Sequence, residues 1–586
     1  MYEWDLSPFY PSFTDESFNQ DVLKLFAMGD RMIATFEDGQ KKQSPVLFLE
    51  TIMKEQEELT KLAHRVQGFI QLSMSANTQD SEAKKALVRT QAMASKFALL
   101  DNKFKTFLKE IPDLEAVISK SEFLKQYRFI ILETKDEINH TMSEEQEVLT
   151  SELIQNGSIL WSQLQKQLTS MAETEFRGKK TSLIELRNLA YSSDPEIRKE
   201  AYYKELEIYK GIEDAVAYSI SGIKGEVNTL GKYRRFGSPL EESLFKSRMK
   251  KETLDALLSA LKANLPSFHK YLLHKAKLLG HSAGLPWYDL FAPMGKSEKK
   301  YTVEEAQSFI LKQFGTFGEE LRETAEKAFR DNWIDYLPRK GKIGGAFCSN
   351  NPSLKQSRIL ANFAGDIGDI ITLAHELGHA YHGEQIFKEA LLNSHYTMPV
   401  AETASTLSET ITKKAAYRQA ESKDEKIHIL EQELQDSTQV TVDIYSRFLF
   451  EQSVFEAREK SIPSAKDLNE LMISAQKAAY GEALDPETLN PGMWINKSHY
   501  YRGGLSFYNF PYAFGLLFSK GIYAKHLEQG PAFVEKINLL LRATGKASVE
   551  DVAKMIGIDL TESSFWEAGL ATIGHDIEEF IRLTSD

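Results

Sequence analysis

Residues 369–383 read Asp-Ile-Ile-Thr-Leu-Ala-His-Glu-Leu-Gly-His-Ala-Tyr-His-Gly, and this stretch decides how the rest of the chain is interpreted. It contains the pattern His-Glu-x-x-His at 375–379. Successive residues of an α-helix turn by about 100° and rise by about 1.5 Å, so His375 and His379 lie one turn apart and about 40° apart around the axis. Both imidazoles can reach one metal ion, whereas Glu376 is turned away and can act on a water molecule at that ion. The stretch therefore predicts a helix with two metal ligands and a general base.

The residues around this motif predict how its helix is bounded and packed. Asp369 favours a helix N-terminus nearby, and Gly383 is expected to end the helix. Gly378 costs about 1 kcal/mol in a helix interior relative to alanine, so we expect another part of the chain to approach it closely. His382 lies on the same face as His375 but about 10 Å further along the axis. It is therefore predicted to be a helix-end cation or a donor to a ligand, and not a ligand itself.

A catalytic zinc site uses three protein ligands, and the third is expected among the carboxylates that follow the motif. Glu384 and Glu389 follow so closely that the chain would have to reverse sharply to bring either back. Residues 398–409 are predicted to form a helix with a proline in its first turn, and this puts Glu402 and Glu409 on one face. Such a helix could present Glu402 to the ion and Glu409 to a ligand imidazole. Spacing alone does not choose among these four carboxylates.

The composition favours long helices. The 586 residues include only 17 prolines and 33 glycines, fewer than an all-β chain full of tight turns would need. Apolar residues recur at steps of three and four over 44–111, 115–180 and about 195–232. Asp80 and Asp194 are predicted to start helices within these stretches. The fold class is therefore predicted to be mainly α.

Strand-like stretches are sparse. The two best are Lys342–Cys348 and Ser357–Phe363, just before the motif. We therefore expect a small β-sheet next to the motif helix. No linker rich in proline, glycine or serine marks a boundary, and we place one near residue 190, between an N-terminal helical domain (1–190) and a catalytic domain (191–586).

Charge and cysteine content exclude several classes of protein. With 71 basic and 84 acidic residues, the net charge is −13, which argues against a broad phosphate-binding surface and so against a nucleic-acid partner. The single cysteine, Cys348, excludes an intramolecular disulfide framework and fits a reducing compartment. We see neither a secretory signal nor a run of about 20 apolar residues, so we expect a cytoplasmic protein without a membrane partner. The sequence does not decide between a monomer and a homo-oligomer.

His-Glu-Leu-Gly-His-Ala at 375–380, followed by Pro-Val-Ala-Glu-Thr-Ala-Ser at 399–405, resembles the zinc oligopeptidases of the thimet-oligopeptidase superfamily, in particular the oligoendopeptidase F group. The resemblance implies two helical lobes around a deep substrate channel and one zinc ion per chain. It also implies that His375, His379 and Glu402 are the zinc ligands and that Glu376 is the general base. Further similar segments are Ile223–Glu226, Tyr288–Pro293, Gly341–Cys348 and Ile359–Phe363.

Residues 499–515, His-Tyr-Tyr-Arg-Gly-Gly-Leu-Ser-Phe-Tyr-Asn-Phe-Pro-Tyr-Ala-Phe-Gly, match a further feature of that family. In the family, a histidine and tyrosines from a glycine-rich loop donate hydrogen bonds to the substrate and the transition state. The resemblance therefore implies these roles for His499, Tyr508 and Tyr512. Animal members carry another tyrosine where this chain has Gly515, so the individual roles stay open. Without the resemblance, the same segment would be interpreted as part of an aromatic core.

The leading hypothesis is a zinc endopeptidase that acts on short, unstructured peptides. Gly344, Gly345 and Ala346 would lie on an exposed strand edge along which a peptide backbone pairs. One alternative is an exopeptidase of related helical architecture, a carboxypeptidase or a peptidyl-dipeptidase, in which Arg502 holds the terminal carboxylate. Another is a non-catalytic helical binding protein with a structural metal, although structural zinc sites usually fill all four positions with protein ligands.

Overall fold

A computed structural model describes residues 2–39, 43–297 and 299–585 of the chain. The chain packs into two compact units, each assembled from separate stretches of sequence. The first unit comprises Met1–Asn139, Lys299–Ala415 and His526–Gly557, and the second comprises His140–Glu298, Ala416–Lys525 and Ile558–Asp586. The predicted boundary near residue 190 separates two continuous stretches of sequence, whereas each unit is built from three separate stretches. That boundary stays a prediction.

Helices make up most of both units, which confirms the predicted mainly α fold class. Within the described residues, no helix is both long enough and apolar enough to cross a membrane. The helices of the first half of the chain are α1 (Glu16–Gly39), α2 (Pro45–Ala76), α3 (Ser81–Thr90), α4 (Met93–Lys109), α5 (Leu114–Ile118), α6 (Glu122–Gln126), α7 (Arg128–Glu137), α8 (Glu144–Asn156), α9 (Ser158–Met171), α10 (Leu183–Asn188), α11 (Pro195–Tyr233), α12 (Pro239–Lys246) and α13 (Lys251–Leu278). Those of the second half are α14 (Val303–Phe317), α15 (Glu319–Arg330), α16 (Ile367–Ile386), α17 (Met398–Ala401), α18 (Thr403–Gln419), α19 (Lys423–Thr438), α20 (Ile444–Lys460), α21 (Ala465–Tyr480), α22 (Met493–Asn496), α23 (Phe510–Gln529), α24 (Val534–Ala543), α25 (Val549–Lys554) and α26 (Ser563–Thr584), with a π-helical segment, Gln439–Asp443, between α19 and α20.

Two small sheets accompany the helices in the part of the chain that is described. The first is a hairpin of antiparallel strands, β1 (Glu173–Phe176) and β2 (Lys179–Ser182). The second contains β3 (Ile334–Asp335), β4 (Phe347–Asn351) and β5 (Gln356–Leu360) in the order β3-β5-β4. In it β5 runs parallel to β3 and antiparallel to β4. Both β4 and β5 pack against α16, which confirms the predicted sheet next to the motif helix.

Each unit has its own hydrophobic core. In the first unit, aromatic side chains of α2 and α4, among them Phe48 and Phe107, pack in one cluster that also includes Leu360 of β5. In the second unit, residues of α11, α20 and α21 pack around Trp494 and Tyr500. The sheet strand β5 therefore ties the N-terminal helices to the segment that precedes α16.

Helix starts follow the predicted capping residues. The Asp80 side chain accepts hydrogen bonds from the first backbone N–H groups of α3. Asp194 caps α11 in the same way, with Pro195 as the first helical residue. Both predicted starts are confirmed, because a side-chain oxygen at this position satisfies a backbone donor that the helix leaves unpaired.

The helical prediction over 115–180 is wrong at its end, where the β1–β2 hairpin lies. Arg177 and Gly178 connect the two strands with φ values of 51° and 77°. Positive φ at both central residues is the geometry of the two-residue turn that matches strand twist. Gly178 was the one residue that indicated a turn here. The helical spacing of apolar residues before and after it favoured a continuous helix instead.

The predicted strand Lys342–Cys348 is also only partly right, since β4 begins at Phe347. Lys342 lies before the strand, and its buried ammonium group is 2.8 Å from the carboxylate of Asp335. The second predicted strand, Ser357–Phe363, corresponds to β5, which ends at Leu360.

The motif helix α16 is fixed at its start and at its middle. Asp366 caps it, and Asp369 completes a reciprocal capping box. At Gly378, an added Cβ would lie 2.5 Å from the carbonyl oxygen of Ala404 and 2.5 Å from Cα of Ser405, both in α18. The predicted close approach is confirmed: α16 and α18 come together at a distance that a side chain at Gly378 would prevent.

Gly383 does not end the helix as predicted, because α16 continues to Ile386. An added Cβ at Gly383 would lie 2.5 Å from the side chain of Asn350 in β4. This glycine therefore makes room for the neighbouring sheet and not for a change of chain direction.

Replacing Gly378 with alanine is expected to lower the melting temperature of the protein. The overpacked contact with the backbone of α18 should cost about 1–3 kcal/mol, more than the gain of up to about 1 kcal/mol in helix propensity. The matched control is Gly368→Ala in the first turn of the same helix, where an added Cβ meets nothing within 4 Å. Thermal unfolding of the two variants should separate them, and equal melting temperatures would contradict the packing argument.

Candidate metal centre

Three side chains of the first unit bring their ligand atoms together. Oε2 of Glu402 lies 3.3 Å from Nε2 of His375 and 3.4 Å from Nε2 of His379. All three ligand atoms lie within 4.8 Å of one another. With ligands at about 2.0–2.2 Å, a tetrahedral zinc ion spaces neighbouring donor atoms by roughly 3.3–3.6 Å. The donor set and its spacing therefore fit a zinc ion.

Local backbone structure explains how Glu402 reaches the two histidines. It is the residue between α17 and α18, with φ −88° and ψ 3°, so the continuous helix predicted over 398–409 is interrupted there. Ser405 Oγ donates a hydrogen bond of 2.8 Å to Glu402 Oε2. The break turns the carboxylate towards α16, and the serine holds it in that direction.

Glu409 lies against the other nitrogen of His375. Its Oε2 is 3.1 Å from Nδ1 of His375, and its Oε1 is 2.6 Å from Nζ of Lys413. A carboxylate in this position favours the tautomer with a proton on Nδ1, which leaves the Nε2 lone pair for a metal. Sequence analysis missed Lys413 and Ser405, although each lies one helical turn beyond the glutamate that it contacts.

The electrostatics of the cluster show that it is built for a positive centre. Burial would lower the pKa of His375, but hydrogen bonds to Glu402 and Glu409 outweigh it and raise that pKa to about 10. Burial would raise the pKa of Glu402, but its contacts with His375 and His379 hold it well below the usual range. Both pKa shifts have the same cause, since a positive charge at the imidazoles is stabilised by the two carboxylates.

Glu376 is buried beside this cluster without being one of its ligands. Its Oε2 has no hydrogen-bond partner among the described residues. Burial raises the pKa of Glu376 even though the imidazoles of His379 and His375 act against it. A carboxylate outside the ligand set with a raised pKa suits proton transfer, and its orphaned oxygen fits a site that takes up water and metal.

The other carboxylates considered from spacing are engaged elsewhere. Glu384 pairs with Lys327 at 2.8 Å, and Glu389 pairs with Lys546. Both glutamates therefore form ion pairs within the first unit and do not take part in the three-atom cluster.

His382 differs from the prediction of a helix-end cation. It is buried, its Nε2 is 2.8 Å from Oγ1 of Thr544, and its ring stacks on Tyr396 at 4.1 Å. Burial lowers its pKa to about 3, so the ring is neutral at ordinary pH. The error follows from expecting the helix to end at Gly383: α16 continues, and its last turns pack into the core.

His499, Tyr508 and Tyr512 form an aromatic cluster in the second unit. Ring centroids lie 5.0 Å apart for His499 and Tyr508, 6.0 Å for His499 and Tyr512, and 5.6 Å for the two tyrosines. The guanidinium of Arg502 lies 5.4 Å from the centre of the Tyr508 ring. Burial lowers the pKa of His499 to about 4, and the charges of Arg447, Arg502 and Lys497 act in the same direction. His499 is therefore a neutral imidazole at pH 7, able to donate one hydrogen bond.

Gly344, Gly345 and Ala346 precede β4 and do not belong to it. The carbonyl oxygen of Gly345 accepts a 2.7 Å hydrogen bond from Nδ2 of Asn362. An added Cβ at either glycine would meet nothing within 4 Å. The loop is thus held from one side and open above its glycines, and its role in binding stays a prediction.

Comparison with known proteins places these residues in context. A model described as peptidase family M3 matches residues 188–572. Oligopeptidase PepF of Bacillus subtilis is 26% identical over 503 residues, covering 80% of this chain and 71% of that protein. Group B oligopeptidase PepB of Streptococcus agalactiae is 23% identical over 607 residues, covering 100% and 97%. A crystal structure from Chlamydophila abortus shares the fold with a TM-score of 0.86 at 21% identity, covering 99% of this chain and 98% of that one.

Replacing Glu409 with glutamine is expected to weaken zinc binding by about 10- to 100-fold, because the partner of His375 Nδ1 loses its charge. The matched control is Glu384→Gln in α16, since the two glutamate side chains are similarly exposed, at 23% and 24%. Competition with a chelating dye measures both affinities without any assay of activity. Wild-type affinity in Glu409→Gln, or equal losses in the two variants, would contradict the assignment.

Proposed function

Because the chain belongs to peptidase family M3 and is a metalloendopeptidase, we propose that it uses zinc to hydrolyse internal peptide bonds of short, unstructured peptides. The observation that carries the proposal is the cluster of His375, His379 and Glu402, whose three donor atoms have the spacing of a zinc site. Two imidazoles and one carboxylate are a donor set of catalytic zinc sites, which leave a position for water or substrate. One zinc ion per chain would occupy this cluster. When bound, it would polarise the scissile carbonyl and make the attacking water more acidic.

Glu376 is the general base of this proposal. Its buried carboxylate takes the proton of the attacking water and later returns it to the leaving amine. The support for this role is its orphaned Oε2 and its raised pKa. Because Glu376 does not take part in the three-atom cluster, its carboxylate stays available for both transfers.

His499, Tyr508 and Tyr512 are the hydrogen-bond donors of this proposal, as the family resemblance implies. Tyr508 or Tyr512 donates to the oxyanion that develops on the carbonyl, and His499 donates to the substrate as a neutral imidazole. A positioned donor of this kind is worth about 3–4 kcal/mol of transition-state stabilisation. Support comes from the ring contacts among the three residues and from the lowered pKa of His499.

Main-chain pairing explains how peptides of different sequence could be bound. β4 is an edge strand of its sheet in the described part of the chain, and Gly344, Gly345 and Ala346 lead into it. A substrate backbone that pairs there is recognised through its amide groups and not through its side chains. The single, free Cys348 agrees with a reducing compartment, so we propose that the peptides are cytoplasmic.

The test is cleavage of an internally quenched peptide with an acetylated N-terminus and an amidated C-terminus. Wild type is expected to cleave it, whereas Glu376→Gln should lose about 10²–10⁴-fold in kcat while zinc content stays stoichiometric. Glu384→Gln is the control on the same helix and should cleave at the wild-type rate.

Two outcomes would overturn the proposal. Cleavage by Glu376→Gln at the wild-type rate would remove the general base from the mechanism. A wild type that acts only on peptides with a free C-terminal carboxylate would instead favour the exopeptidase alternative with Arg502.

A further inference from the structure

A buried carboxylate of the second unit receives three hydrogen bonds, two of them from the residues on either side of Tyr508. Glu451 in α20 accepts from the backbone N–H of Phe507 at 3.0 Å and from Nδ2 of Asn509 at 2.9 Å. Its third donor is the ammonium group of Lys224 in α11, at 2.6 Å. The side chains of Lys224 and Glu451 are 0% and 1% exposed. The residues on both sides of Tyr508 are therefore tied to one buried anion.

The backbone between these contacts has an unusual conformation. Phe507 has φ 54°, in the left-handed region that side chains other than glycine rarely adopt. Its ring is buried against Phe448 and Phe455, at centroid distances of 5.4 and 5.5 Å, on the same helix as Glu451. Such a conformation persists only when the surrounding contacts over-determine it. The bond from Phe507 N–H to Glu451 is one of those contacts.

We propose that the Lys224–Glu451 pair is a positioning device for Tyr508 and acts on turnover through that residue. Glu451 fixes the backbone before Tyr508, through Phe507, and the side chain after it, through Asn509. Lys224 compensates the charge of the carboxylate in its buried environment. This inference rests on the proposed function and takes Tyr508, of its two candidate tyrosines, as the donor to the oxyanion.

The test is a double-mutant cycle with Glu451→Gln and Tyr508→Phe, assayed on the quenched peptide. A glutamine has the same shape as Glu451, but its NH2 group is a donor and would face one of the groups that donate to the carboxylate. The hydrogen bonds on both sides of Tyr508 would no longer all be made, so Tyr508 should shift. Misplacement of a catalytic group by about 1 Å can cost up to about 100-fold, and we expect Glu451→Gln to lower kcat at least ten-fold with KM and zinc content near wild type. In the Tyr508→Phe background the same change should have less than a two-fold effect, because the residue through which it acts is already impaired.

The matched control is Glu431→Gln. Glu431 is another buried carboxylate of the second unit with three donors, namely Lys275, Tyr271 and Gln435. The Glu431→Gln variant should lose stability but keep its kcat.

If the Glu451→Gln variant does not fold, Asn509→Ala is the second variant. It removes one donor to Glu451 and leaves the ion pair with Lys224, and it should show the same non-additivity with Tyr508→Phe.

Equal kcat losses from Glu451→Gln with and without Tyr508→Phe would overturn the positioning role, as would a kcat loss of the same size in Glu431→Gln. A wild-type kcat in Tyr508→Phe would overturn it too. These failures are distinct from failure of the proposed function, which Glu376→Gln reports independently.

A separate observation concerns a cavity of about 230 Å³ inside the second unit. It lies among α10, α11, α13, α19 and α22. One group of its lining side chains is aromatic: Tyr202, Tyr271, Trp287, Tyr288 and Tyr480. Lys497 also lines it, and its ammonium group makes no hydrogen bond or close ion pair with the described residues. A volume of about 150 Å³ suffices for benzene in an apolar cavity, so an aromatic ring with a small substituent fits.

The charged groups around Lys497 are paired with one another. Arg198 pairs with Asp289 at 2.7 Å, and Arg187 lies 3.4 Å from Glu205. Asp443 is paired with Arg447 in the next helical turn. The carboxylates of Asp443 and Glu205 act on Lys497 only at a distance. A buried ammonium group without a direct ion pair is unfavourable, and a ligand carboxylate would supply that pair.

From this arrangement we infer that the cavity binds a small aromatic carboxylate, with its ring against the aromatic walls and its carboxylate on the ammonium group of Lys497. Burial lowers the pKa of Lys497 to about 7, with further lowering by Arg447 and Arg187 and opposition from Asp443 and Glu205. The ammonium form therefore predominates at pH 6, falls to about half near pH 7 and is largely lost by pH 9. Affinity should fall as the pH rises from 6 to 9.

Calorimetric titration of the full chain with phenylacetate tests the inference. At pH 6 we expect a Kd below about 1 mM, a loss of at least ten-fold in Lys497→Met, and no binding of the neutral phenylacetamide. Lys204→Met, at a partly exposed lysine of α11 that pairs with Glu207 and does not line the cavity, is the control and should bind as wild type does. No binding of phenylacetate, equal binding of the amide, or wild-type affinity in Lys497→Met would each overturn it.

Discussion

The imidazole of His375 between two carboxylates is the interaction on which the metal centre depends. One ring nitrogen faces Glu402 and the other faces Glu409, at 3.3 and 3.1 Å. Two partly buried carboxylates on either side of one imidazole repel each other unless a positive charge lies between or beside them. A metal ion at the Nε2 side and a proton at Nδ1 would satisfy both carboxylates at once. The close approach of α16 to α18 at Gly378 sets the distance between His375 on α16 and the glutamates at and beyond the start of α18.

Some of the site could be predicted from sequence because it is local. The relation of His375 to Glu376 and His379 lies within one helix, whose geometry is known in advance. The capping residues Asp80 and Asp194 are local in the same sense. Glu402 is different, because it reaches α16 through a loop and a helix break whose geometry spacing does not determine. A resemblance to other chains was needed to select it.

The errors have a common physical cause, which is that tertiary contacts decide what a residue does. Gly383 is a typical helix-ending residue, yet it lies within α16 because Asn350 fills the space that a side chain would take. His382 would be a cation at a helix end, but in a buried turn it is neutral. Glu451 is equally hidden from sequence reasoning, since a buried glutamate and a solvated one have the same helical spacing.

In both units a glutamate carboxylate contacts a lysine and a further polar group. In the first, Glu409 contacts His375 with one oxygen and Lys413 with the other. In the second, Glu451 contacts Lys224 and the backbone of Phe507 with one oxygen and Asn509 with the other. A buried ion pair contributes little net stability, because desolvation offsets much of the attraction. Its value here is directional: the lysine keeps the carboxylate ionised, and the ionised carboxylate accepts hydrogen bonds in a few fixed directions. A neutral acceptor of the same size would leave the lysine unpaired and would define those directions less strictly.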